Sequence, residues 1–191
     1  PAFPYLTLKA QASSPAGPWT KQPDVIPFRT KPGTYYSATA SPGQVLSHDG
    51  GWLMFFSAST SEPILRTLGL ARTKDLDGPW RIDPESILPA AEQVENTSLH
   101  FEPKSRTWWL FTNHVGVRDG LEYTDAIWVY WTTDLNRWNP EHKAVVLDAR
   151  NCLWSRHIIG LPSVAQAPGL LASRRARPRP PQAQLQSARR G

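Results

Sequence analysis

Two carboxylic acids stand directly before apolar runs in the middle of the chain. Glu95 precedes the run that starts near Ser98, and Asp125 opens the apolar run 126–131. Cleavage of a glycosidic bond needs one carboxylic acid that protonates the leaving oxygen and one carboxylate that activates water or attacks the sugar. Glu95 is the candidate acid, because burial beside an apolar strand favours a protonated carboxyl group. Asp125 is the candidate second carboxylate or an orienting group.

Side chains that can bind sugar hydroxyls or stack on sugar rings accompany the two acids. Amide and charged groups suit hydroxyls, and an indole suits the flat apolar face of a sugar. Glu122 and Arg66 are also interpreted as surface residues or as members of an ion pair. The candidate substrate-binding residues are Arg66, Asn96, Asn113, His114, Trp154 and His157.

The sequence predicts neither a metal site nor a cofactor. His114 and His157 have no acidic or histidine partner at the spacing that metal ligands adopt. Cys152 is the single cysteine, which excludes an intrachain disulfide, and no activating base for it is evident.

The candidate residues belong to a repeat of about 60 residues, a period typical of propeller blades and other arrays. Residues 51–58 match 107–113, and 68–80 match 127–138. A partial copy covers residues 5–28, and another copy begins at 160–164.

Each unit is interpreted as four short strands joined by turns rich in Gly, Pro, Asp and Asn. No segment shows a sustained period near 3.6 residues, so the predicted class is all-β. Four-stranded units at regular spacing indicate a β-propeller, although two unrelated β meanders could also match by accident. The predicted partial propeller covers 1–164, with a blade remnant at 5–28, blades at 41–88 and 97–147, and the start of the next blade at 160–164.

Propeller topology predicts where the candidate side chains lie. Successive strands alternate in direction, so the start of the innermost strand and the loop between the second and third strands share one face of a blade. This face is predicted to carry Arg66, Glu95, Asn96, Asn113, His114, Glu122, Asp125, Trp154 and His157.

The net charge of +5 is located in the last residues. Six of the 21 basic residues lie in 165–191, which contains no acid, and the rest of the chain has 15 basic and 16 acidic residues. The charge therefore does not indicate a nucleic-acid partner. Residues 165–191 are rich in Arg, Pro and Ala and are predicted to be disordered.

No apolar stretch approaches the 18 residues of a membrane span, so no membrane partner is predicted. The chain begins Pro1-Ala2-Phe3 without a Met or a signal peptide, a start expected of a fragment or a processed product. Localisation is not readable from the residues, and a secreted or periplasmic protein is one option.

Residues 41–58 together with 70–80 resemble the blade pattern of five-bladed glycoside hydrolases of families 43, 117 and 130. The similar features are a Ser-Pro-Gly start, an Asp-Gly turn, an aromatic strand and an Asp-Leu-Asp-Gly-Pro-Trp end. The resemblance implies a five-bladed propeller, of which this chain would hold two to three blades, and a glycosidase acting on poly- or oligosaccharides.

In these families three essential carboxylates lie at the starts of innermost strands in different blades. Here only Glu95 occupies such a position, whereas Ser41 and Ser163 stand at the other two. A glycoside phosphorylase of the same fold and a non-catalytic carbohydrate-binding propeller remain alternatives. A protein-interaction propeller would carry Trp-Asp or kelch-type glycine motifs, which do not appear.

Overall fold

The computed structural model describes residues 8–61, 63–155 and 158–165. Within these residues the chain is all-β, and its helical content is a single 3₁₀ turn at Ala90–Glu92. No helix in this part of the chain has the length and apolarity that crossing a bilayer requires. The all-β prediction is therefore confirmed. Of the tail predicted to be disordered, all but Ala165 lies outside the described residues.

The first four-stranded sheet is a meander in which each strand pairs antiparallel with the next. Asp49 and Gly50 form its first turn with φ of 48° and 68°, the conformation of a two-residue hairpin that matches the strand twist. The strands are β3 (Thr39–His48), β4 (Gly51–Ser59), β5 (Arg66–Thr73) and β6 (Arg81–Ile82).

The outer strand of this sheet differs from the prediction, which placed it at Ile87-Leu88. The strand lies earlier, at 81–82, and the chain then follows β5 irregularly, with Ile87 N donating to Leu68 O at 2.9 Å. Pro84 separates the two stretches, and a proline has no N–H to continue a ladder.

The second four-stranded sheet is also a meander in which each strand pairs antiparallel with the next. Asp119 and Gly120 form the turn between its two longest strands, with φ of 52° and 74°. The strands are β7 (Val94–Glu102), β8 (Thr107–Arg118), β9 (Leu121–Thr132) and β10 (Lys143–Leu147).

The main hydrophobic core lies between the two sheets, where β7 contacts β3, β4 and β5. Leu53, Phe55 and Leu68 of the first sheet pack in one buried cluster with Leu110 and Tyr130 of the second. A second cluster around Phe28 and Phe56 covers the other face of the first sheet. A third, around Ile127 and Cys152, covers the other face of the second. Burial on both faces is what stacked blades require.

The N-terminal copy is a small two-stranded sheet of β1 (Lys9–Gln11) and β2 (Thr20–Gln22). Gly17 and Gly78 begin the two Gly-Pro-Trp sequences, and both have a positive φ, of 83° and 97°. The same backbone conformation at equivalent positions agrees with the repeat. The predicted strand at Val25–Phe28 is not formed, although Phe28 is buried in the second cluster. Leu6 and Thr7 lie outside the described residues.

Candidate functional site

Glu95 owes its position to a bulge near the start of β7, where the pairing register shifts between Glu95 and Ser98. Asn96 lies in the bulge with φ of 63°, a left-handed conformation that Asn adopts more readily than most residues. Its backbone N–H donates to Ser57 Oγ of the first sheet at 2.7 Å. The innermost strand of the second sheet is therefore anchored to β4 one residue after Glu95.

The first sheet has a corresponding bulge in β3, between Pro42 and Val45. A Cβ added to Gly43 would lie 2.1 Å from Thr97 Oγ1 and 2.4 Å from Phe55 O, so only glycine permits this close approach. Next to it, Gln44 N donates to Thr97 Oγ1 at 3.2 Å. The two bulges therefore join the two blades at residues 96 and 97, which follow Glu95 directly.

Arg66 connects both sheets at this face. It begins β5 of the first sheet, and its Nη1 donates to Glu95 Oε2 at 2.9 Å. Its Nε and Nη2 donate to the two carboxylate oxygens of Glu122, which lies on β9. The three side chains are 23%, 25% and 32% exposed, respectively. One guanidinium thus holds two carboxylates, and Glu95 contacts a cation, whereas the prediction considered only the apolar strand beside it.

The guanidinium also determines the ionisation of Glu122. The hydrogen bond from Arg66 lowers the pKa of Glu122 and the positive charge of Arg66 adds to this effect, while partial burial opposes it. Glu122 is therefore a carboxylate near neutral pH. Its interpretation as a member of an ion pair agrees with this geometry.

His114 and Asp125 form a second pair at the same end of the second sheet. His114 Nδ1 lies 2.6 Å from Asp125 Oδ1, and the imidazole stacks on the Trp128 ring at 4.2 Å with an interplanar angle of 12°. A carboxylate bound to Nδ1 orients the imidazole and leaves Nε2 available as a proton acceptor in the neutral ring. Asp125 is thus an orienting group for His114.

Asn113 has a different environment from the one predicted for a substrate-binding residue. It is fully buried, and its Nδ2 donates to Ile159 O at 2.9 Å and to Gly160 O at 3.2 Å. Its Oδ1 accepts a hydrogen bond from Asn96 Nδ2 at 3.2 Å. Both amide hydrogens are used inside the protein, so these contacts join the bulge at Asn96 to the segment that follows β10.

Two candidate substrate-binding residues, Trp154 and His157, follow β10 in the sequence. Trp154 is 84% exposed, as a side chain that stacks on a ligand can be. His157 lies outside the described residues. Cys152 is buried in the third cluster, which agrees with its interpretation as an inert residue.

Residues 92 and 93 contribute to the site although no sequence pattern pointed to them. Gln93 has φ of 48°. Its side chain accepts a hydrogen bond from Arg66 N at 3.3 Å, and its backbone carbonyl accepts one from Val115 N at 2.8 Å.

Glu92 accepts hydrogen bonds from Tyr130 OH and Lys143 Nζ. Burial and this hydrogen bond raise the pKa of Tyr130, which keeps the phenol protonated. These contacts fix residues 92 and 93, which precede Glu95 by two to three positions.

The described residues contain no group of three or more His, Cys, Asp or Glu side chains arranged to hold a metal ion. They contain the Arg66–Glu95–Glu122 cluster and the His114–Asp125 pair, which lie at the same end of the second sheet. We call this set of five side chains the carboxylate site.

Comparison with known proteins finds similarity at the level of structure. No protein-family model matches the sequence, and no curated protein matches it. An endo-arabinase from Bacteroides thetaiotaomicron is similar with a TM-score of 0.51 and 16% identity, over 69% of this chain and 44% of the enzyme. A structure described as a glycoside hydrolase gives a TM-score of 0.54 and 14% identity, over 70% and 47%.

A thermostable family-43 glycoside hydrolase is similar to the same extent, with a TM-score of 0.51 and 12% identity over 68% of this chain and 42% of that protein. The chain therefore spans less than half the length of each of these structures. At such identities the likeness concerns the fold. The chain has the β-propeller architecture found in these glycoside hydrolases, and the prediction of part of a β-propeller is confirmed.

Proposed function

We propose that this chain forms part of a glycoside hydrolase and that the carboxylate site cleaves a glycosidic bond of an oligo- or polysaccharide. The observation that carries the proposal is the contact of Arg66 with Glu95 across two blades, which holds a carboxyl group at the start of an innermost strand. Similarity to structures named endo-arabinase and family-43 glycoside hydrolase supports the same reaction class.

Each member of the carboxylate site has a role in this proposal. Glu95 gives a proton to the glycosidic oxygen as the bond from that oxygen to the anomeric carbon breaks. His114, oriented by Asp125, takes a proton from the attacking water. Arg66 is held by Glu122 and exchanges its contact with Glu95 for a contact with the substrate when the substrate enters. Hydrogen bonds in an empty site often rearrange in this way on binding.

The residues around the site supply binding. Asn96 offers its amide to a sugar hydroxyl, and Trp154 offers an exposed indole face to a sugar ring. His157 is retained as a proposed hydroxyl binder on sequence grounds. Asn113 is assigned instead to positioning, since its contacts are internal.

A non-catalytic carbohydrate-binding site is the second candidate, and the ion pair of Glu95 favours it. The carboxyl group of Glu95 already contacts Arg66 at 2.9 Å, and its oxygens can accept hydrogen bonds from sugar hydroxyls without any bond being cleaved. Ser41 and Ser163, at the positions where the repeat predicts the starts of two other innermost strands, provide no further carboxylate.

The experiment that separates these functions is hydrolysis of 4-nitrophenyl arabinofuranoside, xyloside and galactoside by the purified chain and by Glu95→Gln. Catalysis through Glu95 predicts measurable turnover that falls by about 100-fold or more in the variant. Glu102→Gln is the matched control, because Glu102 lies on the same strand and binds only its own turn, through Lys104 N and Ser105 N. Turnover that Glu95→Gln leaves unchanged would exclude Glu95 as the acid. Saccharide binding without turnover would support the non-catalytic function.

A further inference from the structure

The imidazole of His114 is one layer of a three-layer stack that crosses the second sheet. His114 lies on β8, Trp128 on β9 and Lys143 on β10, and β9 is the strand between the other two. The rings of His114 and Trp128 are 4.2 Å apart with an interplanar angle of 12°. Lys143 Nζ lies over the Trp128 ring, 4.8 Å from its centre. Because β8 and β10 flank β9, the imidazole and the ammonium group approach the indole from opposite sides.

The register of the three strands explains why these side chains meet. His114 is paired with Ala126, so Trp128 is its diagonal neighbour on β9. Lys143 is paired with Tyr130, so Trp128 is its diagonal neighbour as well. Diagonal neighbours on one face of an antiparallel pair lie within reach of aromatic and long side chains. The stack is therefore determined by strand pairing.

Glu92 keeps Lys143 over the indole. Lys143 Nζ donates to Glu92 Oε2 at 2.7 Å, and the same oxygen accepts the hydrogen bond from Tyr130 OH. The side chain of Glu92 is 13% exposed and that of Lys143 is 34% exposed. Charge-assisted hydrogen bonds of this kind are strong, and an ammonium group is attracted to the face of an indole. The cation and the indole therefore hold each other in place.

Two contacts fix the imidazole of His114 in different directions. The contact of Nδ1 with Asp125 Oδ1, at 2.6 Å, fixes the position of that nitrogen. It still allows the ring to turn about the line that joins the two atoms. The flat contact with Trp128 fixes the plane of the ring and removes this rotation. Nε2 then points in one direction, which is the geometry that a positioned proton acceptor needs.

We propose that Lys143 is a positioning residue for His114. Lys143 holds the indole of Trp128, and the indole holds the plane of the imidazole. The inference rests on the proposed function, in which His114 accepts a proton from water. It assigns a role in that function to a residue of the outer strand β10, two strands away from His114.

The test compares Lys143→Met with Lys143→Arg in the full chain. Methionine keeps an aliphatic side chain without the charge, whereas arginine restores a cation that binds both an indole face and a carboxylate. The ring protons of His114 are observed by NMR after histidine labelling and are assigned by their absence in His114→Gln. Protons above an indole face are shielded and resonate upfield. We expect Lys143→Met to move these signals towards the position of an unstacked histidine, and Lys143→Arg to leave them in place.

Hydrolysis of the aryl glycosides is the second measurement. A loss of ring orientation should lower kcat by about 10-fold and leave KM within about twofold, because the orientation of the proton acceptor acts on the chemical step. Lys143→Arg should recover most of kcat. A general loss of folded protein would lower the signal of both variants without this recovery.

Two further variants separate positioning from stability. Lys143→Met leaves the partly buried carboxylate of Glu92 without its cation, which is destabilising in itself. Glu92→Gln/Lys143→Met removes both charges, so a displacement of the His114 signals that persists in this variant is due to loss of the cation over Trp128. Lys104→Met is the matched control, since Lys104 is an exposed residue between β7 and β8 of the same sheet. It should change neither the signals nor turnover.

The outcomes distinguish this inference from the proposed function. Signals of His114 that stay in place in both methionine variants would overturn the inference, even if the melting temperature falls. Displaced signals with an unchanged kcat would overturn it as well. Displaced signals in a chain that hydrolyses none of the substrates would support the hold of Lys143 on the imidazole and would contradict the proposed function.

Discussion

Arg66 Nη1 donates to Glu95 Oε2 at 2.9 Å although the two residues lie near the starts of strands in different four-stranded sheets. The same guanidinium binds Glu122 through two nitrogens. A planar fork that faces two carboxylates is a geometry that arginine provides and lysine does not. The contact therefore joins two blades and places a carboxyl group at the proposed site.

Replacement of Arg66 should destabilise the protein. Arg66→Met leaves the partly buried carboxylates of Glu95 and Glu122 without their cation, and we expect the free energy of unfolding to fall by about 1–3 kcal/mol. Arg81→Met is the control, since Arg81 is 69% exposed and makes a longer contact of 3.3 Å with Asp83. Its effect should stay within about 0.5 kcal/mol. Urea unfolding measures both, and equal effects would contradict the role of Arg66.

The stability contributed by Glu122 should depend on pH. Its pKa in the folded state lies below the ordinary value of 4.5, chiefly because of the hydrogen bond from Arg66. The stabilisation is therefore complete above that value and is lost as the pH falls through the folded-state pKa. We expect Glu122→Gln to be less stable than the natural protein at pH 7, with the difference shrinking below pH 4.5. Urea unfolding at several pH values tests this, and a difference that grows in acid would contradict it.

Loss of the Asn113 side chain should be costly for stability. Asn113→Ala removes the donor to Ile159 O and Gly160 O and leaves these carbonyls and Asn96 short of a partner. We expect a loss of about 2 kcal/mol or more. Asn139→Ala, which removes one acceptor from an exposed turn, should cost less than about 1 kcal/mol. A thermal melt of both variants distinguishes them, and similar melting temperatures would contradict the positioning role.

A methyl group at position 116 should separate Asp125 from His114. A Cβ built on Gly116 lies 2.2 Å from Asp125 Oδ2, so the carboxylate must move. In the natural protein the Nδ1 proton of His114 should appear downfield in the NMR spectrum because it is held by Asp125, and Gly116→Ala should remove this signal. Gly160→Ala is the control, because nothing lies within 4 Å of its added Cβ. Persistence of the signal in Gly116→Ala would show that the pair tolerates the methyl group.

Much of the fold could be predicted from the sequence, because strand order follows from local pattern and repetition. The aromatic run at 51–58 recurs at 107–113, and the stretch at 68–80 recurs at 127–138, so two antiparallel meanders could be placed from the residues alone. The outer strand of the first sheet was predicted at 87–88 because those residues are apolar. The prediction did not take account of Pro84, and the strand ends before it. Alternating strand direction also predicted that Arg66, Glu95 and Asp125 would share one end of the blades.

The pairing of these side chains was decided only by the tertiary structure. The sequence determined which residue types stand at each strand start, but it does not record that Arg66 of one blade reaches Glu95 of the next. Nor does it show that Asn113 turns inward to residues 159–160, because a bulge at residues 95–98 decides which way each side chain points. The alternation of side chains along the sequence determines where strands form. Side-chain contacts between residues separated by tens of positions form only when the blades pack together.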